Sequence, residues 1–261
     1  MLPRVTPGSQ NEAVGRLALA ALVVVLLPAL PFGTFLAYPF LILTTWFHEM
    51  GHGLVAMALG QDFERLMIFA SGSGVAQYRV VEGTSPLVLA AIAAGGPLAP
   101  SLVGAGLIVA SAHPRAFRAV LWLVSAAILA STIIWVRAPV GYAVLPLLAA
   151  FLALVAWRAW PAALRFTLQF LGVLAALSML RDAGYLLSAR AVIDGKTFLS
   201  DTGQIAAGLG LPHWLWAGLI LGVGGLITGV ALRYALAEHR LRPPPPRRPA
   251  NVLQFRARRR R

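Results

Sequence analysis

His48 and His52 stand four residues apart, with Glu49 next to the first of them, in the run Phe47-His48-Glu49-Met50-Gly51-His52-Gly53. On a helix, a spacing of four places two side chains on one face, one turn apart. Two imidazoles so placed can reach a single metal ion, and the carboxylate beside the first can act as base on a metal-bound water. A bound Zn2+ lowers the pKa of its water to about 7, which makes hydroxide available at neutral pH. The sequence therefore assigns His48 and His52 as Zn2+ ligands and Glu49 as the catalytic base. The chain has no cysteine, so a transition metal must be held by histidine and carboxylate.

A tetrahedral catalytic zinc takes a third protein ligand. The chain offers nine acidic residues. Glu12 and Glu238 lie near its ends, Asp62, Glu64 and Glu82 in the 61–85 stretch, and Asp194 and Asp201 in a polar link over 191–211. Only Glu49 and Asp182 fall inside apolar runs. Asp182, in LAALSMLRDAGYLL, is thus selected as third ligand by elimination, against the plainer reading of an ion pair with the adjacent Arg181. Asp201 is the alternative, although its Ser200-Asp201-Thr202 context reads first as a helix cap. His113 and His213, each beside a proline, are expected at the edges of apolar runs.

These residues sit in a very apolar chain. Of 261 residues, 59% are hydrophobic and 12% charged, where a soluble domain carries about 25% charged. The expected fold class is an all-α polytopic membrane protein of about six to eight transmembrane helices. Spans are expected at about 17–38, 39–60, 86–111, 117–136, 139–157, 163–190 and 212–236. The first is read as retained, because no small-residue cleavage site follows it. Charge at the bilayer centre costs about 2.5–3.5 kcal/mol, so Glu49 within LILTTWFHEMGHGLVAMALG reads as functional.

Residues 61–85 carry two β-rich runs flanking Ser71-Gly72-Ser73-Gly74, the pattern of a small membrane-associated hairpin. Such backbone must lie at the interface or line a cavity. The implied domains are a polar segment over 1–16, a membrane domain over 17–238, and a basic, disordered tail over 239–261 that contains nine arginines. That tail marks a cytoplasmic side and can touch anionic lipid, and no folded module points to nucleic acid. Seven spans would put the two ends on opposite sides, whereas Arg4, Arg16 and the tail ask for one side. One span is therefore expected to be re-entrant or miscounted.

The run Phe47–Gly53, the glycine-rich hairpin and Ala94-Gly95-Gly96-Pro97-Leu98-Ala99 together resemble the site-2 protease family of intramembrane zinc proteases, in its M50B-like branch. Ser200-Asp201-Thr202-Gly203-Gln204-Ile205-Ala206 and the Gly210-Leu211-Pro212 that follows resemble that branch too. The resemblance implies that His48, His52 and a late aspartate bind zinc and that Glu49 activates water. It implies that the hairpin around Ser71, Gly72, Ser73 and Gly74 binds substrate by strand addition, and that Gly95-Gly96-Pro97 lets its helix approach the motif helix closely. The Asn-Pro-Asp-Gly of the classical family is here Leu180-Arg181-Asp182-Ala183-Gly184, without the asparagine.

The function expected is a zinc-dependent intramembrane endopeptidase acting on membrane-embedded protein substrates. The arginine-rich, alanine-rich composition suggests a bacterial inner membrane. The alternative is a non-proteolytic membrane scaffold or binding protein with a structural metal site, which Glu49 argues against. A CAAX-type protease needs late glutamates, and the chain has none between 83 and 237. A diiron desaturase needs about eight histidines by resemblance to that class, and the chain has five. An ion transporter would also use buried Glu49 and Asp182.

Overall fold

The computed structural model describes residues 10–237, so Arg4 and the arginine-rich tail lie outside the described residues. The chain starts with α1 (Gln10–Leu26), which runs into a 3-10 turn at Leu27–Ala29. Pro28 and Pro31 cannot donate backbone hydrogen bonds, and Phe32 takes a left-handed conformation with φ 59°. The first span therefore stops there, and not at residue 38 as expected. Helix α2 (Gly33–Ala58) carries the His-Glu-x-x-His motif.

After α2 comes a two-stranded antiparallel hairpin of β1 (Asp62–Ile68) and β2 (Gly74–Arg79), with Met67 opposite Val75 and Phe63 opposite Tyr78. Four long helices follow: α3 (Pro86–Ala110), α4 (Phe117–Ile134), α5 (Pro139–Arg158) and α6 (Pro161–Arg181). The expected span over 163–190 runs from Pro161 to Leu186, with its helix interrupted after Arg181. Beyond it lie the short α7 (Ala183–Leu186) and a second hairpin of β3 (Arg190–Ile193) and β4 (Lys196–Leu199). Then come α8 (Asp201–Leu209) and α9 (His213–Ala235).

Among the described residues, six helices are long and apolar enough to cross a membrane: α1 with its 3-10 turn, α3, α4, α5, α6 continued through α7, and α9. Outward-facing Leu123, Ile133, Leu147 and Leu226 are each more than two-thirds exposed, as a lipid-facing surface requires. Helix α2 is not among the six, since its histidines and glutamate lower its hydropathy. It is instead wrapped by the others, with Ile42, Leu43, Trp46 and Phe47 buried in the main core. The Trp46 indole N–H donates to Ser131 Oγ of α4 at 2.9 Å, which fixes the rotation of α2.

Two features position the site. Helices α2 and α3 touch backbone to backbone, because a Cβ at Gly51 would run into the Gly95 carbonyl. The β1–β2 hairpin lies along α2: Thr45 Oγ1 donates to the Gly72 carbonyl at 2.6 Å, and Tyr38 OH donates to the Ala70 carbonyl at 3.0 Å. The outer edge of β1 is tied to the α4–α5 link, where the Leu66 N–H donates to Trp135 O at 2.8 Å and the Arg137 N–H to Leu66 O at 2.9 Å. Among the described residues no further strand pairs with β2, whose other edge faces the site.

The two ends of the described chain meet. Gln10 Nε2 donates to the Leu236 carbonyl at 3.2 Å. They therefore lie at one end of the bundle, which resolves the expected conflict of an odd number of spans.

Candidate metal centre

Helix α2 presents His48 and His52 one turn apart, with ring centroids 4.9 Å from each other and Nε2 atoms 3.2 Å apart. The third member of the cluster is Asp201, at the first position of α8. Its Oδ2 is 3.1 Å from His48 Nε2 and its Oδ1 is 3.3 Å from His52 Nε2. Among the described residues, these three form the one group of histidine and acidic side chains close enough to share a metal ion.

The donor set fits Zn2+. Ligand atoms bonded to zinc at about 2.0–2.1 Å in a tetrahedron lie about 3.3 Å from each other, close to the separations seen here. Two imidazoles and a carboxylate leave the fourth position open, as in catalytic zinc sites. The His52 Nδ1–H donates to the Ile92 carbonyl of α3 at 2.8 Å, which leaves Nε2 with its lone pair toward the cluster. Gly96 makes this possible, since a Cβ there would occupy the space of the His52 ring.

Asp201 owes its position to its neighbours. Ser200 caps α8, its hydroxyl accepting from the Gly203 N–H at 3.0 Å. The capping role is thus filled by the residue before it, and the Asp201 carboxylate is left for the histidines. The Asp201 N–H donates to the Tyr185 hydroxyl at 3.2 Å. Asp201 is 2% exposed. Burial alone would push its carboxyl up, but the His52 and His48 imidazoles against it hold it well below the usual carboxylate range.

Asp182, preferred from sequence as the third ligand, is not part of this cluster. Helix α6 ends at Arg181, and Asp182 is the residue on which it ends. Its Oδ1 accepts from Arg181 Nε at 3.0 Å, and its side chain is 32% exposed. The plainer reading, an ion pair with its neighbour, is the one found. Elimination led to Asp182 because it took that residue as buried and Asp201 as occupied in capping, whereas Asp182 is partly exposed and Asp201 is buried against the histidines.

Glu49 is buried and lies beneath β2, where a Cβ at Gly74 would come within 2.6 Å of Glu49 Cγ. His48, Glu49, His52 and Asp201 line a cleft of about 550 Å³ together with the free edge of β2 and part of the second hairpin. Ser71, Gly72 and Ser73 lie in the turn between β1 and β2 and Gly74 opens β2, and all four line an adjoining cavity of about 280 Å³ with His48, Glu49 and Asp182. Sequence reasoning missed Tyr185 and the β3–β4 hairpin as parts of the site. The hairpin had a signal: Asp194-Gly195 between β-branched and aromatic residues is a two-residue turn pattern.

A family profile described as Peptidase M50B-like matches residues 16–231. That match spans α2, both hairpins and Asp201. Searches of curated proteins and of solved structures found no match.

Proposed function

The chain belongs to the Peptidase M50B-like family, and on that footing we propose that it is a zinc-dependent endopeptidase cutting membrane-embedded protein substrates. The observation that carries the reading is the meeting of His48, His52 and Asp201 beside a buried Glu49. In this reading His48 Nε2, His52 Nε2 and an Asp201 carboxylate oxygen hold the metal. Zn2+ bound there would polarise the scissile carbonyl and lower the pKa of a bound water. Glu49 takes a proton from the attacking water and passes it to the leaving amide nitrogen. The Ile92 carbonyl holds the His52 tautomer throughout.

A helical substrate shields its peptide bonds with its own hydrogen bonds, so it must unwind to be cut. The free edge of β2 offers backbone partners for the unwound strand, beside Glu49. Support for access from the membrane comes from an apolar cavity of about 600 Å³ between α1, α2 and α6, which shares Leu41 and Arg181 with the cavity beside Glu49.

The test is cleavage of single-span substrates by the purified, zinc-loaded protein. Glu49→Gln is expected to lower kcat by about 10²–10⁴ while leaving zinc stoichiometry unchanged. Wild-type cleavage rates in that variant would overturn the role of Glu49.

A further inference from the structure

We propose that the β3–β4 hairpin is the specificity wall of this site, with Ile193, Phe198 and Leu199 receiving apolar side chains of the peptide strand that lies along β2. The inference rests on the peptidase reading and adds the part that chooses which residue is accepted.

Four observations carry it. First, Ile193, Phe198 and Leu199 share one cleft with Glu49, Asp201 and the free edge of β2, so the hairpin stands across the site from the strand-receiving edge. Second, these side chains are apolar in a site whose working groups are all polar. Phe198 and Leu199 are 43% and 40% exposed, and every residue of β4 is exposed. An aromatic left open beside a buried carboxylate is suited to contact with an apolar partner.

Third, the register of the hairpin is fixed. Asp194 and Gly195 form its two-residue turn with φ 49° and 73°, and Ile193 pairs with Lys196 while Ala191 pairs with Phe198. A one-residue slip would turn Phe198 away from its present face.

Fourth, the base of the hairpin is clamped to the metal-site helix. The Ser200 N–H donates to the Ala189 carbonyl at 3.1 Å, the Ser200 hydroxyl donates to the Ser188 carbonyl, and Thr202 Oγ1 donates to the Leu186 carbonyl at 2.6 Å. Ser200 and Thr202 are fully buried. Leu199 lies two residues before Asp201, so the wall and the buried carboxylate are held by the same hydrogen bonds. A peptide contacting the wall is thereby measured against the position of the metal ligands. The occupant this chemistry fits is an extended segment of a membrane span, which supplies apolar side chains on both sides of its backbone.

Two readouts test this. In the first, zinc-loaded wild-type, Phe198→Ala and Phe198→Leu proteins cut single-span substrates in which each residue near the cut is varied from alanine to tryptophan. Fit in an apolar pocket is worth about 10–200-fold per methylene. Phe198→Ala is expected to shift the ratio of kcat/KM for bulky over small residues by about 10-fold or more, with Phe198→Leu between. Lys196→Ala, at the hairpin tip and outside the cleft lining, is expected to leave the ranking unchanged.

In the second, Phe198→p-benzoylphenylalanine in a Glu49→Gln background is photolysed with a single-span substrate, and adducts are expected within a few residues of the wild-type cut. An unchanged ranking, or adducts absent or scattered along the substrate, overturns the inference. Cleavage with an unchanged ranking defeats this inference alone. Clustered adducts on a protein that holds zinc and never cuts would defeat the peptidase reading and leave the hairpin as a peptide-binding wall.

Discussion

Asp201 is buried with an imidazole nitrogen against each of its carboxylate oxygens, and this sets what single substitutions should do. Asp201→Ala removes a donor of the cluster and leaves the His48 and His52 imidazoles facing a gap. Zinc affinity is expected to fall by about 100-fold or more, beyond the 10–100-fold typical of groups that only support a ligand. Asp182→Ala removes only a partly exposed ion pair, worth about 0–1 kcal/mol, and is expected to keep zinc at the wild-type stoichiometry. Metal titration of both variants checks this, and a reversed order would restore Asp182 as the ligand. The approach of His48 to His52 was legible from the sequence because a helical repeat fixes their relation locally. Asp201 was not, because its carboxylate meets them across 149 positions of chain beyond His52, and only tertiary packing decides that distance.

At the scale of elements, the site depends on backbone approach and on one cap. Gly96→Ala puts a Cβ into the space of the His52 ring, so it is expected to displace that ring and lose zinc binding, while an alanine at the exposed Gly218, with open space around it, is expected to be neutral. Ser200→Ala removes the α8 cap and a clamp on the second hairpin. It is expected to cost about 1 kcal/mol of stability and to weaken zinc binding about 10–100-fold, read by thermal unfolding and by chelator competition. The long helices and the first hairpin were legible because apolar length and turn glycines are local signals. The break at Leu27–Phe32 was written in Pro28 and Pro31 but was outvoted by an unbroken apolar run. The second hairpin was masked because its four-residue strands are mostly exposed and carry no alternating pattern.

At the scale of the whole molecule, the contact of Gln10 with Leu236 puts both described ends at one end of the bundle. The His113–Tyr234 contact and the bonds from Arg118 to the carbonyls of Trp157 and Ala159 bring the α3–α4 and α5–α6 links to that same end. Arg115, Arg118, Arg158 and Arg233 gather there, while Arg65, Arg79, Arg137, Arg181, Arg190 and Lys196 belong to the hairpins, the α4–α5 link and the end of α6. Nine arginines follow residue 237 in the sequence, and on that ground we propose that the end holding Gln10 and Leu236 is cytoplasmic. The chain has no cysteine, so single substitutions report directly: Gln10→Cys and Ala237→Cys should react with an impermeant thiol reagent from one side, and Asp194→Cys from the other. Labelling of Gln10→Cys and Ala237→Cys from opposite sides would contradict the fold. The bundle brings Asp201 to the motif helix, where on the proposed reading it completes a zinc centre. The most direct test is an anomalous-diffraction structure of the zinc-loaded protein. One zinc is expected, bonded to His48 Nε2, His52 Nε2 and an Asp201 oxygen at about 2.0–2.2 Å. A zinc bound by Asp182, or none between the two histidines, would contradict it.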